Sequence, residues 1–245
     1  MRRLEVFGAG SLRGALPEIA AALRESTGLP VELRLGPSGL LREEIEDGRT
    51  PDLFLSADMS QPETLWDKGL AEKPAIFARN ELCLLADEEF GITPANLVER
   101  LLDPEVRLGT STPGLDPGGD YAYEVLKRAD ALQPGSSAAL MRKAVQAVGG
   151  RASLQDGGAA RRHPVARAFE EGTVNAFLGY RTSALQVRSE RPGLALVPLP
   201  PPLVVQAAYA MVVLRGAAPA AHTLAEWILS PEGRQRLVTH GFLPP

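Results

Sequence analysis

The order of apolar segments predicts an α/β protein whose sheets are mostly parallel. Three observations carry that expectation. Short apolar runs of strand character alternate with segments of helical periodicity along the whole chain. Three such runs fall within the first 55 residues, joined by helical connections, which is how a parallel sheet begins. The chain has 245 residues, 44% of them hydrophobic and 23% charged, a globular composition with enough length for one large domain or two of about 120 residues each.

Leu4-Glu5-Val6-Phe7 reads as the first strand. Leu12, Leu16, Ile19 and Leu23 then recur at spacings of four, three and four, the stripe of an amphipathic helix. Pro17 lies inside that stripe and predicts a kink, because it lacks a backbone N–H. Val31 to Leu35 is a second strand, Leu40 to Glu46 a helix stopped at Gly48, and Asp52 to Leu55 a third strand. The pattern restarts at Arg79 with strands at 81–86 and 106–109 and helices at 94–102, 120–130, 137–148 and 164–171. A strand follows at 174–178. After the prolines of 198–202, residues 204–214 form a long apolar strand, and helices at 223–229 and up to about Gly241 close the chain.

Composition removes several classes of function. The formal charge is −4, and Lys and Arg are scattered, so there is no field for nucleic acid. The single cysteine, Cys83, sits in an apolar run, which excludes an intrachain disulfide and a cysteine-based metal site. No stretch approaches the roughly 20 apolar residues of a membrane span. Met1-Arg2-Arg3 runs directly into a strand, so either a leader has been removed or the protein stays in the cytoplasm.

The residues with chemical potential cluster after strands. Gly8-Ala9-Gly10-Ser11-Leu12 follows the first strand and Gly36-Pro37-Ser38-Gly39-Leu40 the second, each serine falling where the next helix is capped. Capping alone accounts for a single serine. Two glycine-flanked serines at the carboxyl ends of neighbouring parallel strands also make half of an anion site, because ligands bind outside those ends and helix N-termini present free N–H groups. Gly109 to Tyr121, rich in glycine, repeats the arrangement, with Asp120 as the alternative helix cap. Tyr180 follows the strand 174–178 as either a packing residue or a hydroxyl donor. Arg161-Arg162-His163 adds charge or forms a solvated turn. An enzyme reading has little support: His163, His222 and His240 are not spaced as a metal pair, and there is no G-x-S-x-G elbow. Gly8-x-Gly10 suggests a dinucleotide fingerprint, but Arg13 occupies its third glycine position.

Four motifs in order, Val6 to Leu12, Leu35 to Gly39, Pro51 to Asp58 and Leu229 to Gly233 with Gly241-Phe242, together with Phe77 to Leu82, resemble the periplasmic molybdate-binding proteins over nearly the whole chain. The resemblance implies a type II periplasmic binding protein fold: two α/β lobes, 1–79 with 203–245 and 80–202, with the ligand in the cleft between them. It implies no cofactor, and a tetrahedral oxyanion, molybdate or tungstate, held without a counter-charge. Carried over by position, the hydroxyl contacts are Ser11, Ser38 and Tyr180, Gly118 gives a backbone donor, Ala57 a further N–H, and Arg162 or His163 another. Leu115-Asp116-Pro117-Gly118 is closer to the archaeal tungstate and molybdate binders, in which an Asp and a Glu coordinate the metal centre. Asp116 matches that Asp, but Gly179 stands at the Glu position, so a tetrahedral ligand is preferred and Asp116 is expected to point away from it.

The implied partners are the oxyanion and the membrane permease of an ABC importer, with the binding protein a monomer in the periplasm or at the cell surface. The alternatives are a cytoplasmic oxyanion sensor of the same fold and a dinucleotide-dependent oxidoreductase.

Overall fold

The computed structural model describes residues 3–154 and 162–245. The chain forms two compact units, one built on residues up to Asn80 and from Ala208 onward, the other on Glu81–Ser153 and Arg162–Ala207.

The first unit holds strands β1 (Leu4–Ala9), β2 (Val31–Gly36) and β3 (Leu53–Ser56), with β2 and β3 parallel to β1 on either side. Strand β9 (Gln206–Val213) closes the order β2-β1-β3-β9 by pairing antiparallel with β3. β1 and β3 are buried almost throughout, as central strands covered on both faces must be. Helices α1 (Ala15–Thr27), α2 (Ser38–Glu46) and α3 (Ser60–Asp67) are the connections. Phe7, Leu41, Ile45, Phe54, Leu65 and Val212 pack into one core between the sheet and its helices. Helices α9 (Ala220–Leu229) and α10 (Pro231–Thr239) complete the unit.

The first helix departs from expectation. Leu12 belongs to a short 3-10 turn, Gly10–Leu12, and α1 begins only at Ala15, although Leu12, Leu16, Ile19 and Leu23 are all buried. Pro17 is thereby the third residue of the helix, inside the first turn, where no residue's N–H has an intrahelical acceptor. The expected loss of a helical bond does not arise.

In the second unit, strand β4 (Ala75–Asp87), which enters from the first, pairs antiparallel with β7 (Ala176–Tyr180) and with β8 (Leu194–Pro198). β5 (Leu108–Ser111) lies parallel between β7 and β6 (Val145–Val148). The helices are α4 (Leu97–Leu102), α5 (Pro117–Arg128), α6 (Ser136–Lys143), α7 (Pro164–Glu170) and α8 (Arg181–Glu190). The helix expected over 137–148 ends at Lys143, and its last residues form β6. Val145 and Val148 stand three apart, a helical spacing that puts them on opposite faces of a strand, and β6 is half exposed with no alternation in its burial, so its strand character left no periodic signal.

Candidate functional site

Residues at the carboxyl ends of β1 and β2 are brought together because the two strands are parallel and in register, Ala9 opposite Gly36. The next residues on each strand carry the chain past Ser11 and Ser38, both buried. A side chain at Gly8 would meet the terminal methyl of Leu16, which packs over the strand end at that glycine.

Neither serine caps its helix, as the sequence had led one to expect. Ser11 lies within the 3-10 turn and Ser38 is the first residue of α2, and neither helix start has a side-chain cap. Their oxygens are engaged across the unit instead. Ser11 Oγ is 2.7 Å from the Tyr209 hydroxyl, and Ser38 Oγ accepts from the Ala57 N–H at 3.2 Å. Asn80 Nδ2 donates to the same Tyr209 hydroxyl at 3.1 Å. Tyr209 and Asn80 are wholly buried, and the Tyr209 ring is held edge-on by Phe77 and Phe242. Tyr209 was not singled out in the sequence. It lies in an apolar strand, and its contact with Ser11 spans 198 residues.

In the second unit, four residues converge at the start of α5. Asp116 is the helix N-cap, its Oδ1 accepting from the Gly118 N–H at 2.9 Å, with Pro117 at the first helical position. A side chain placed on Gly118 would reach within 3.1 Å of the Tyr180 ring, 3.3 Å of Asp116 Oδ1 and 3.4 Å of Ser111 Oγ. Tyr180, Asp116 and Ser111 therefore surround that glycine. Tyr180 is buried at the end of β7 and edge-on to Tyr121. At Gly119 an added Cβ would lie 2.6 Å from the backbone of Ser111, Thr112 and Pro113, so the helix start sits directly on the loop after β5. Asp120, the alternative cap, accepts from the Gly114 N–H and so braces that loop. Ser111, buried beside Gly118, is a polar group that nothing in its glycine- and threonine-rich segment distinguishes in the sequence.

Arg162 and His163 have structural partners. Arg162 is half exposed and pairs with Glu170 and, at 3.9 Å, with Glu190. His163 is the buried N-cap of α7, its Nδ1 accepting from the Val165 N–H, while its own backbone N–H donates to Glu190 Oε2 at 3.1 Å. Arg161 lies outside the described residues. Among the described residues no group of three His, Cys, Asp or Glu side chains is arranged to hold a metal ion, and no helix is long and apolar enough to cross a membrane. Burial pushes the Cys83 thiol up to about 12, which removes the thiolate needed for reactivity.

A family model described as "Bacterial extracellular solute-binding protein" matches residues 4–243. The molybdate-binding protein ModA of Escherichia coli (strain K12) is 29% identical over 146 residues, spanning 54% of this chain and 55% of that protein. Among solved structures, the periplasmic molybdate-binding protein of Azotobacter vinelandii superposes with a TM-score of 0.76 at 21% identity, over 99% of this chain and 100% of that one. The sulfate-binding protein SubI of Mycobacterium tuberculosis H37Rv does so with a TM-score of 0.79 at 13% identity, over 100% of this chain and 87% of that one. The fold is therefore that of the type II periplasmic binding proteins, and the chain belongs to the bacterial extracellular solute-binding protein family, whose molybdate-binding proteins it resembles.

Proposed function

We propose that the protein binds a tetrahedral oxyanion, molybdate or tungstate, outside the cytoplasm and delivers it to the permease of an ABC importer, without catalysing a reaction. The observation that carries this reading is the pair of buried hydroxyls at the ends of adjacent parallel strands, Ser11 and Ser38, each with its oxygen engaged by a partner within the unit. The Ala57 N–H can only donate, so the Ser38 hydroxyl hydrogen is not spent on it and is available to an acceptor. Neutral hydroxyls donating to a desolvated anion give charge-assisted bonds, roughly twice as strong as neutral ones. In this reading Tyr180 adds a third hydroxyl. Charge does not separate molybdate from sulfate under this scheme, since both are dianions, so selection rests on size.

The test is a thermal-shift panel with molybdate, tungstate, sulfate and NAD. A ligand that binds only the folded state raises stability by RT ln(1 + [L]/Kd), about 2.7 kcal/mol at a hundredfold excess over Kd. Molybdate and tungstate are expected to raise the melting temperature and NAD to leave it unchanged. By calorimetry, Ser11→Ala and Ser38→Ala should each weaken oxyanion binding by roughly 1.5–3 kcal/mol, the scale of a hydrogen bond to a charged group. Unchanged affinity in both variants would remove the site.

A further inference from the structure

We infer that Asn80 and Tyr209 form a donor relay that fixes the direction of the Ser11 hydroxyl, making Tyr209 a positioning residue for oxyanion binding. The inference rests on the function proposed above and extends it to two residues in which no strand-end motif appears.

The argument is one of proton counting. The Asn80 amide donates to the Tyr209 oxygen at 3.1 Å. Tyr209 has one hydroxyl hydrogen, and Ser11 Oγ lies 2.7 Å away, a contact in which either oxygen is able to donate. Ser11 likewise has one hydrogen. If Ser11 spends it on Tyr209, it meets an oxyanion with lone pairs only and repels it. If Tyr209 donates to Ser11, the Ser11 hydrogen is released for the anion, and the Tyr209 oxygen is satisfied by Asn80. The amide at Asn80 thus favours the second arrangement, in which the chain runs Asn80 to Tyr209 to Ser11 with every donor pointing the same way.

Two further observations support this polarity. Ser38, the companion serine, accepts from a backbone N–H, so its own hydrogen is not spent on that contact. With Tyr209 as donor, Ser11 stands in the same state, although a different group holds it. Asn80 and Tyr209 are also completely buried, and Phe77 and Phe242 pack against the Tyr209 ring. In such surroundings a run of aligned hydrogen bonds polarises its members, so the terminal hydroxyl becomes the better donor.

A double-mutant cycle tests the relay. Tyr209→Phe keeps the ring and its edge contacts and deletes only the hydroxyl. Titrated with sodium molybdate and with sodium tungstate, this variant should bind roughly three- to tenfold more weakly than the parent. In a Ser11→Ala background the same change should alter affinity less than twofold, because the group through which it acts is gone. Asn80→Ala, which leaves both hydroxyls in place, should follow the same pattern and serves if Tyr209→Phe does not fold. An equal loss of affinity with and without Ser11 would overturn the relay and make Tyr209 a packing residue. So would a Tyr209→Phe protein that binds like the parent while Ser11→Ala is weakened. If Ser11→Ala itself binds normally, or neither anion binds the parent, the site fails and the relay with it, an outcome distinct from the other two.

Discussion

Asp116 and Gly118 illustrate how a residue's role depends on its neighbour. Gly118 was expected to offer its N–H to the ligand, yet that N–H is taken by the Asp116 carboxylate, which also places a negative charge at the positive end of α5. Asparagine caps a helix about as well as aspartate, so Asp116→Asn should leave the melting temperature of the ligand-free protein nearly unchanged. With the charge removed, affinity for a dianion should stay constant or rise, as isothermal titration would show. A hundredfold loss would instead mean that the carboxylate coordinates the ligand's metal centre. Tyr180 is tested in the opposite sense. Tyr180→Phe retains the ring that packs on Tyr121 and removes a donor, so affinity should fall by roughly 1–2 kcal/mol while ligand-free stability holds. A lower melting point with affinity intact would assign Tyr180 to packing.

Among the elements, those whose periodicity repeats several times were legible in the sequence, and those defined by one or two contacts were not. β1, β2 and β3 declared themselves as short apolar runs, and the stripe from Leu12 to Leu23 is buried as its spacing requires. α3, α8 and β8 were overlooked: α3 and α8 are short and mostly polar, and β8 is bounded by prolines. At the candidate site, glycine punctuation after strands singles out Ser11 and Ser38 and the resemblance names Ala57, the partner of Ser38, whereas Tyr209, 198 residues beyond Ser11, leaves no local signal. An ion-pair cluster joining α2 to α3 was equally invisible. Burial of Glu46 pushes its carboxyl upward, but hydrogen bonds from Lys68 and Arg42 outweigh that and hold it below its ordinary value. A depressed carboxylate contributes stability above its unfolded pKa and loses it as the pH falls through the folded value. Glu46→Gln should therefore cost about 1 kcal/mol or less at neutral pH, since Lys68 is half exposed, and the difference from the parent should vanish in acid when unfolding is followed in urea.

At the scale of the whole molecule, the first unit draws on both ends of the chain. β9 supplies the antiparallel neighbour of β3, and on β9 stands Tyr209, the partner of Ser11. A ribosome finishes Ser11 early and Tyr209 only after another 198 residues, so the second unit's sequence is synthesised while the first waits for its final strand. Until that strand arrives, β3 has a bare edge and Ser11 has no phenol to accept from. A chain cut short before Tyr209 would carry both serines without the buried phenol that lies 2.7 Å from the first.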